Sequence, residues 1–384
     1  MTPKLRLLDF GNFGQPDSAW FNPSVTRLDD GRWLATMLTV HGNDFYGDPM
    51  FAISGDEGRT WTRPAPIPAF ASEEFSEIGI RVAVCDTRPF TSPVDGTVFV
   101  FGCTVHYSPK GNVCWQKDFD KSRVPKELAV YATWRPESGW SERKTLVLPG
   151  WEDDYRTAAT QLAFMPDGNV MIPIYLTVSH GIYCGFPSQF YGATAPVYRQ
   201  NGDRLESVKT ARIFTNPVGR GCMEPSAVRL ADGSYALTIR TEDGNMYVAT
   251  SHDGYEWGDA RPWRFDDGTP LETSSTQQHW VRIGAKDFLV FTMKFNGNNS
   301  LFRYRAPLLI AEAMPQEATL LRGTLDTVFP RRTQNGVEAF YGNFHCTQLD
   351  DETALITDAA LFERKLDDGS FVATSDVMAA VVSH

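Results

Sequence analysis

Six segments of this chain end a run of strand-like residues with a threonine, followed within three places by a group able to move a proton or hold an ion. They are Thr39-Val40-His41, Thr104-Val105-His106, Thr177-Val178-Ser179-His180, Thr238-Ile239-Arg240, Thr292-Met293-Lys294 and Ile356-Thr357-Asp358. A second set lies nine places before a turn glycine or its equivalent. It holds Asn22, Thr87 or Arg88, Ala159, Glu224, one of Gln277 and Gln278, and Asn343. Polar groups that open otherwise apolar strands are costly when buried without partners, so two such rings point to a bound ligand. Histidines beside carboxylates suit proton transfer. Arg240, with Arg88 and Arg156 at strand starts, suits a carboxylate, which the planar guanidinium fork matches. His279 and His345 stand just beyond the first ring. His41, His106 and His180 together could also ligate a metal, but neighbouring strand ends are far apart and no metal spacing motif is present. No metal and no cofactor are expected. Trp20, Trp115, Trp151, Tyr183, Phe186, Tyr191 and Trp280, in or beside loops, could stack on the apolar face of a sugar.

The elements that must position these groups are hairpins. An apolar strand, a short turn rich in Asp and Gly, and a second apolar strand recur around Asp30-Gly31, Asp95-Gly96, Asp167-Gly168 and Asp232-Gly233, and more weakly around Gly284 and Asp350-Asp351. Asp-Gly between alternating strands is a strong hairpin signal, and a period of roughly 65 residues accommodates a four-stranded blade with its loops. The fold class expected is all-β: a six-bladed β-propeller of four-stranded antiparallel blades in one domain over 1–384, with a β-sandwich pair as the competing architecture. The C-terminal run Val377 to Ser383 is expected to close the ring beside Leu5 to Leu8. Residues 107–127 and 179–195 read as insertions over one face.

Two turns carry a more specific pattern. Ser54-Gly55-Asp56-Glu57-Gly58-Arg59-Thr60-Trp61 has the form Ser-x-Asp-x-Gly-x-Thr-Trp, and Ser251-His252-Asp253-Gly254-Tyr255-Glu256-Trp257 repeats it one residue shorter. In such a turn the Asp bonds backbone amides, Gly supplies positive φ and Trp covers the blade beneath. With these Asp boxes, the repeats and Glu224-Pro225-Ser226 running on to Thr238-Ile239-Arg240, the chain resembles the sialidase (neuraminidase) superfamily over nearly its full length. The resemblance implies that Glu224 partners a nucleophile, that Arg240 and Arg305 (in Arg305-Ala306-Pro307-Leu308) clamp a sugar carboxylate, and that Asp44 or Asp48 is the acid. The chain departs from the family at two places. Asn22 stands where the family has its first arginine, and Asn343 where it has its nucleophilic tyrosine, with Tyr341 two residues upstream.

Composition narrows the remaining classes. A net charge of −11 over 384 residues, with no basic tract, argues against a nucleic-acid partner. No apolar run approaches the length of a membrane span and no signal peptide is visible, so a cytoplasmic protein without membrane partners is expected. Six scattered cysteines, Cys85, Cys103, Cys114, Cys184, Cys222 and Cys346, read as free buried thiols. The leading expectation is a glycosidase cleaving an acidic, carboxylate-bearing glycan, with Glu224, Asp44 and Asp48 as its carboxylates. Its substrate-binding groups would be Arg240, Arg305, Arg88, Arg156, His180, Asn22, Gln278, Lys294, Asn343 and His345. A polysaccharide lyase acting on a uronate-containing glycan such as rhamnose-glucuronate, through His41 or His106 as base and Tyr341 as acid, is the alternative. A non-catalytic glycan-binding propeller is the third reading.

Overall fold

A computed structural model describes residues 3–384 apart from 12, 15–17, 43, 109–123, 296 and 368. Cys114 and Trp115 lie outside the described residues. Strand succeeds strand along the chain, and the only helical segments described are three-residue 3₁₀ turns. The fold is a β-propeller of antiparallel, mainly four-stranded sheets. The first blade is Ala19–Arg27, Trp33–Val40, Met50–Ser54 and Ala65–Pro66. In the second, Ile80–Thr91 and Val98–Tyr107 pair centrally, flanked by Glu73–Phe75 and Ala129–Arg135.

The next strands form two short sheets in place of one. Met171 and Ile174 belong to different strands because Pro173 lies between them, and Pro196 separates Phe186–Thr194 from Val197–Asn201. Proline has no amide to donate to a ladder, so facing prolines break both strands at one level. The amide of Ile172 still reaches the carbonyl of Pro196 at 3.0 Å, which joins the two halves. With those halves taken together, Met223–Arg229, Tyr235–Arg240 and Met246–Ser251 build the fourth strand set. His279–Ile283, Lys286–Phe291 and Leu308–Met314 build the fifth, and His345–Gln348, Ala354–Lys365 and Phe371–Ser383 the sixth. The N-terminal strand Lys4–Leu7 completes the last sheet, with Lys4 opposite Ser383 and Leu7 opposite Ala380.

Alternating side chains send one face of each sheet into each neighbour. Six apolar clusters lie between successive sheets: for example, Leu230, Ala236 and Met246 meet Trp263, Trp280 and Leu289, while Val25 and Trp33 meet Leu355 and Ala379 across the closing seam. A seventh cluster draws Phe21, Tyr46, Cys85, Cys103, Tyr175, Met223 and Leu361 from several blades toward the middle. The Ser54 to Trp61 turn is tied by its own side chains. Asp56 accepts the amide of Thr60 at 2.8 Å and its hydroxyl at 2.7 Å, while Ser54 Oγ accepts the amide of Gly58 at 2.8 Å. Among the described residues no helix is long and apolar enough to cross a membrane.

Candidate active site

At the inner strand of each blade, or just before it, one residue leaves the extended backbone. Asn22, Asp86, Ala159, Glu224 and Ser275 all have positive φ, at 59°, 52°, 52°, 40° and 30°. Ladder register shifts beside three of them, between Phe21 and Ser24, Cys85 and Arg88, and Met223 and Ser226. A bulge inserts a residue and re-aims its side chain, so these positions form the ring. Two expected members are corrected. The second is Asp86 rather than Thr87 or Arg88, and the fifth is Ser275 rather than Gln277 or Gln278. Gln278 is buried, with its amide toward the carbonyl of Thr276 at 3.4 Å, and Gln277 donates to the carbonyl of Phe344. At the sixth position Gly342 takes φ 148°, and the neighbouring Asn343 is half-buried.

Three arginines gather around Glu224. Arg240 Nη1 bonds the Glu224 carboxylate and its Nε donates to Ser275 Oγ at 3.0 Å. Arg305 is buried beside Gly342, where an added Cβ would stand 2.8 Å from Arg305 Cδ. Arg303, which sequence reasoning missed, precedes it on a strained turn: Arg303 and Tyr304 have φ 51° and 55°. Its only sequence signal was its place two residues before Arg305. Burial pushes Arg303 down to about 9, and repulsion by Arg240, Arg305 and Arg220 adds to it. Burial and Arg240 likewise lower Arg305. Burial alone would raise the Glu224 carboxyl, but Arg240, Arg305 and Arg303 hold it below the usual carboxylate range. Among the described residues neither Arg303 nor Arg305 makes an ion pair within 4.0 Å. Arg220 is neutralised separately, its Nη2 2.6 Å from Glu242 Oε1.

On the first-blade side, Tyr46 donates to Asp44 Oδ1 at 2.8 Å, and Tyr107 donates to the Asp44 carbonyl at 2.8 Å. Tyr46 stacks on Phe21, and burial followed by the Asp44 charge raises its phenol well above the ordinary value. Asp44 and Tyr46 both act on Arg305, which brings this pair into the field of the arginines. Asp86 is half-buried. Burial raises it to about 6, with Glu224 and Asp44 contributing in the same direction against Arg88.

Several expected residues lie elsewhere. Arg88 is fully buried, held by Asn22 Oδ1 and by Ser24 Oγ at 2.5 Å, so it braces the inner strands and offers no group to a ligand. Tyr341 is in the core, its hydroxyl donated to the Pro330 carbonyl at 2.7 Å. Asp48 is exposed and accepts the Ser72 hydroxyl. Lys294 is exposed and pairs with Glu272 at 3.2 Å. His345 is buried against His279 and Phe90, and burial with the nearby Arg88 charge holds it well below the usual imidazole value.

The three histidines have different surroundings. His41 is exposed beside Phe45. His106 is buried, its Nδ1 3.6 Å from Glu127 Oε1. His180 rides outward on the long hairpin of Ile174–Tyr183 and Phe186–Thr194, 2.8 Å from Asp153 Oδ2. His106 and His180 border a cavity of about 290 Å³ with Lys126, Glu127 and Asp154. Arg156 lies beside it, paired with Glu127 and over the rings of Tyr175 and Tyr191. The expected aromatics Trp20 and Trp280 are buried packing residues.

No family model matches this chain, and neither does any curated protein. Solved structures do. A Dyadobacter fermentans protein of unknown function superposes with a TM-score of 0.65 at 13% identity over 99% of both chains. A Hadza microbial sialidase gives 0.59 at 18% identity, over 93% of this chain and 66% of the other. The NanB sialidase of Streptococcus pneumoniae gives 0.61 at 11% identity, over 98% and 71%. At such identities the likeness establishes a sialidase-like fold.

Proposed function

We propose that this chain is a glycosidase acting on a carboxylate-bearing glycan. The observation that carries the reading is the crowding of charge at the arginines: Arg240 is paired with Glu224, while among the described residues Arg303 and Arg305 make no ion pair within 4.0 Å and feel the repulsion of Arg240. Crowding like charges is unfavourable, and a bound carboxylate relieves it while satisfying planar donors. The sialidase-like fold supports a sugar as the bearer of that carboxylate.

Once the carboxylate is held, Glu224 and the Asp44–Tyr46 pair take different roles. Glu224 stays ionised, since the arginines depress its pKa, and an ionised carboxylate stabilises the positive charge that develops at the anomeric carbon. On the opposite side Asp44 is the acid that protonates the departing oxygen, and Tyr46, whose phenol stays protonated because burial raises it, donates to Asp44 and positions it. Water completes the cleavage by adding hydroxide to the sugar and its second proton to the donor pair. The lyase alternative draws less support, because His106 is buried beside Glu127 and the Tyr341 hydroxyl is spent on the Pro330 carbonyl inside the protein.

The test is incubation with fluorogenic glycosides of sialic and hexuronic acids, alongside their neutral counterparts. Release from the acidic glycosides alone supports the proposal. An unsaturated uronate product, seen by its ultraviolet absorbance, would establish the lyase instead. Binding of acidic glycans without any cleavage would establish a non-catalytic glycan-binding protein.

A further inference from the structure

Next to the ring, strands Ile80–Thr91 and Val98–Tyr107 bring two thiols together. Cys85 and Cys103 are register partners, with sulfurs 3.6 Å apart. Cys85 Sγ is also 3.6 Å from Asp86 Oδ2, and all three potential ligand atoms lie within 4.8 Å of one another. Consecutive residues of a regular strand point to opposite faces. Cys85 and Asp86 converge only because the strand bulges there and Asp86 takes φ 52°. The bulge that other blades share at this level thus turns Asp86 onto the side of the thiols, where Asn22 Nδ2 also donates to its Oδ1 at 3.1 Å.

The spacing suits a metal ion better than a disulfide. A tetrahedral ion with metal–sulfur bonds of about 2.3 Å and metal–oxygen bonds of about 2.0 Å has sulfur–sulfur edges of roughly 3.8 Å and sulfur–oxygen edges of roughly 3.5 Å. Both observed 3.6 Å separations lie within a few tenths of those edges. A disulfide would require the sulfurs to close to about 2.05 Å. The soft pair of thiolates with one carboxylate selects a zinc-like dication over calcium or magnesium. Two thiolates, one carboxylate and a dication sum to a single negative charge. Arg88 acts on Asp86 and Arg156 on Cys103, so that residual charge is formed between cations. Both cysteines are buried while Asp86 is half-exposed, which leaves the free coordination position on the solvent side of Asp86.

We propose that Cys85, Cys103 and Asp86 form a three-ligand site for a zinc-like divalent cation, open on the side of Asp86. The site does not depend on the glycosidase reading. Binding releases the two thiol protons to solvent as the metal–sulfur bonds form.

The probe is Co²⁺ added to the reduced full-length protein, read by its thiolate-to-cobalt charge-transfer and tetrahedral ligand-field bands. The expected result is saturation at one Co²⁺ per chain, loss of the bands in Cys103→Ser, at least about tenfold weaker binding in Asp86→Asn, and bleaching by Zn²⁺. Thermal melts without metal show whether each variant folds. If one does not, a second measurement on the unaltered protein decides: Zn²⁺ should slow thiol modification at Cys85 and Cys103 but leave the exposed Cys184 unaffected. Absent bands in the reduced protein, bands that survive Cys103→Ser, or a Cys85–Cys103 disulfide that forms with Zn²⁺ in excess would each overturn the proposal.

Discussion

Replacing Arg303 by glutamine is expected to stabilise the fold and weaken ligand binding at once. Its guanidinium falls from 12.5 to about 9 through burial and the repulsion of Arg240, Arg305 and Arg220. At 1.36 kcal/mol per pKa unit the fall corresponds to at most about 5 kcal/mol. Partial exposure and solvent screening reduce this to about 1–2 kcal/mol. For a chain of 384 residues the melting temperature should rise by roughly 1–2.5 °C. Glutamine is the informative choice because it bears the same backbone cost at φ 51° while removing the charge and keeping a polar end. Binding moves the opposite way: a charge-assisted hydrogen bond to a carboxylate contributes about 1.5–3 kcal/mol, so affinity for an acidic sugar should fall roughly 10- to 150-fold. Thermal melts at low salt, with and without sialic or hexuronic acid, read both effects, and added salt should shrink the stability gain. A variant that melts below the parent, or one that keeps the full ligand-induced shift, would refute the charge-crowding argument.

Glu224→Gln should cut turnover of acidic glycosides by about 100-fold or more in steady-state assays, since the ionised carboxylate near the reacting carbon is lost. Burial alone would raise Glu242, but hydrogen bonds and charge from Arg220 hold it at about 2 against an ordinary 4.5. Its stabilisation, at most about 3 kcal/mol, is present above pH 4.5 and lost as pH falls through about 2, so Glu242→Gln should flatten that part of an acid denaturation curve. Asp358 behaves oppositely, because burial raises it from 3.8 to about 7 and the folded state binds the extra proton. Stability should drop by up to about 4 kcal/mol as pH rises between those values, and Asp358→Asn should be the more stable protein in denaturant titrations at about pH 8. Asp56→Ala should lower the melting temperature while leaving kcat unchanged, because its hydrogen bonds close a peripheral turn.

Turn chemistry made much of the fold legible. Asp-Gly pairs marked hairpins that the structure contains, and counting nine residues back from Gly31, Gly168 and Gly233 reached Asn22, Ala159 and Glu224, each with left-handed backbone. The same count failed in the second blade, where the Ser92 to Thr97 turn is longer and the amide of Gly96 reaches back to Ser92. That extra length moved the expected position from Asp86 to Thr87. In the fifth blade, polarity drew attention to Gln277 and Gln278, whose amides satisfy backbone carbonyls inside the protein. The histidine ring failed for a different reason. A shared threonine marks a shared strand, but not what each histidine meets: His106 is buried beside Glu127, His41 is exposed, and the hairpin that carries His180 runs on to Tyr183. The sequence also could not show that Tyr341 would spend its hydroxyl on Pro330, because that bond depends on how the chain returns to the core.

Apart from Ala159, why the ring uses strained positions follows from what each must deliver. A left-handed non-glycine residue costs of order 1 kcal/mol, and glycine would avoid that cost. Glycine would also remove the side chain. Asn22, Asp86 and Glu224 bear the cost where a polar group is required: Asn22 binds both Arg88 and Asp86, and Glu224 binds Arg240. Ser275 bears it with a hydroxyl that accepts from Arg240. At the sixth position the requirement is reversed, since Arg305 occupies the space a Cβ would need, and the chain has Gly342 there. Gly342→Ala should therefore displace the Arg305 guanidinium and weaken carboxylate binding without removing any polar group. Glu224 and Gly342 thus serve one arrangement from different blades, one by adding a charge to the arginines and the other by leaving room for them.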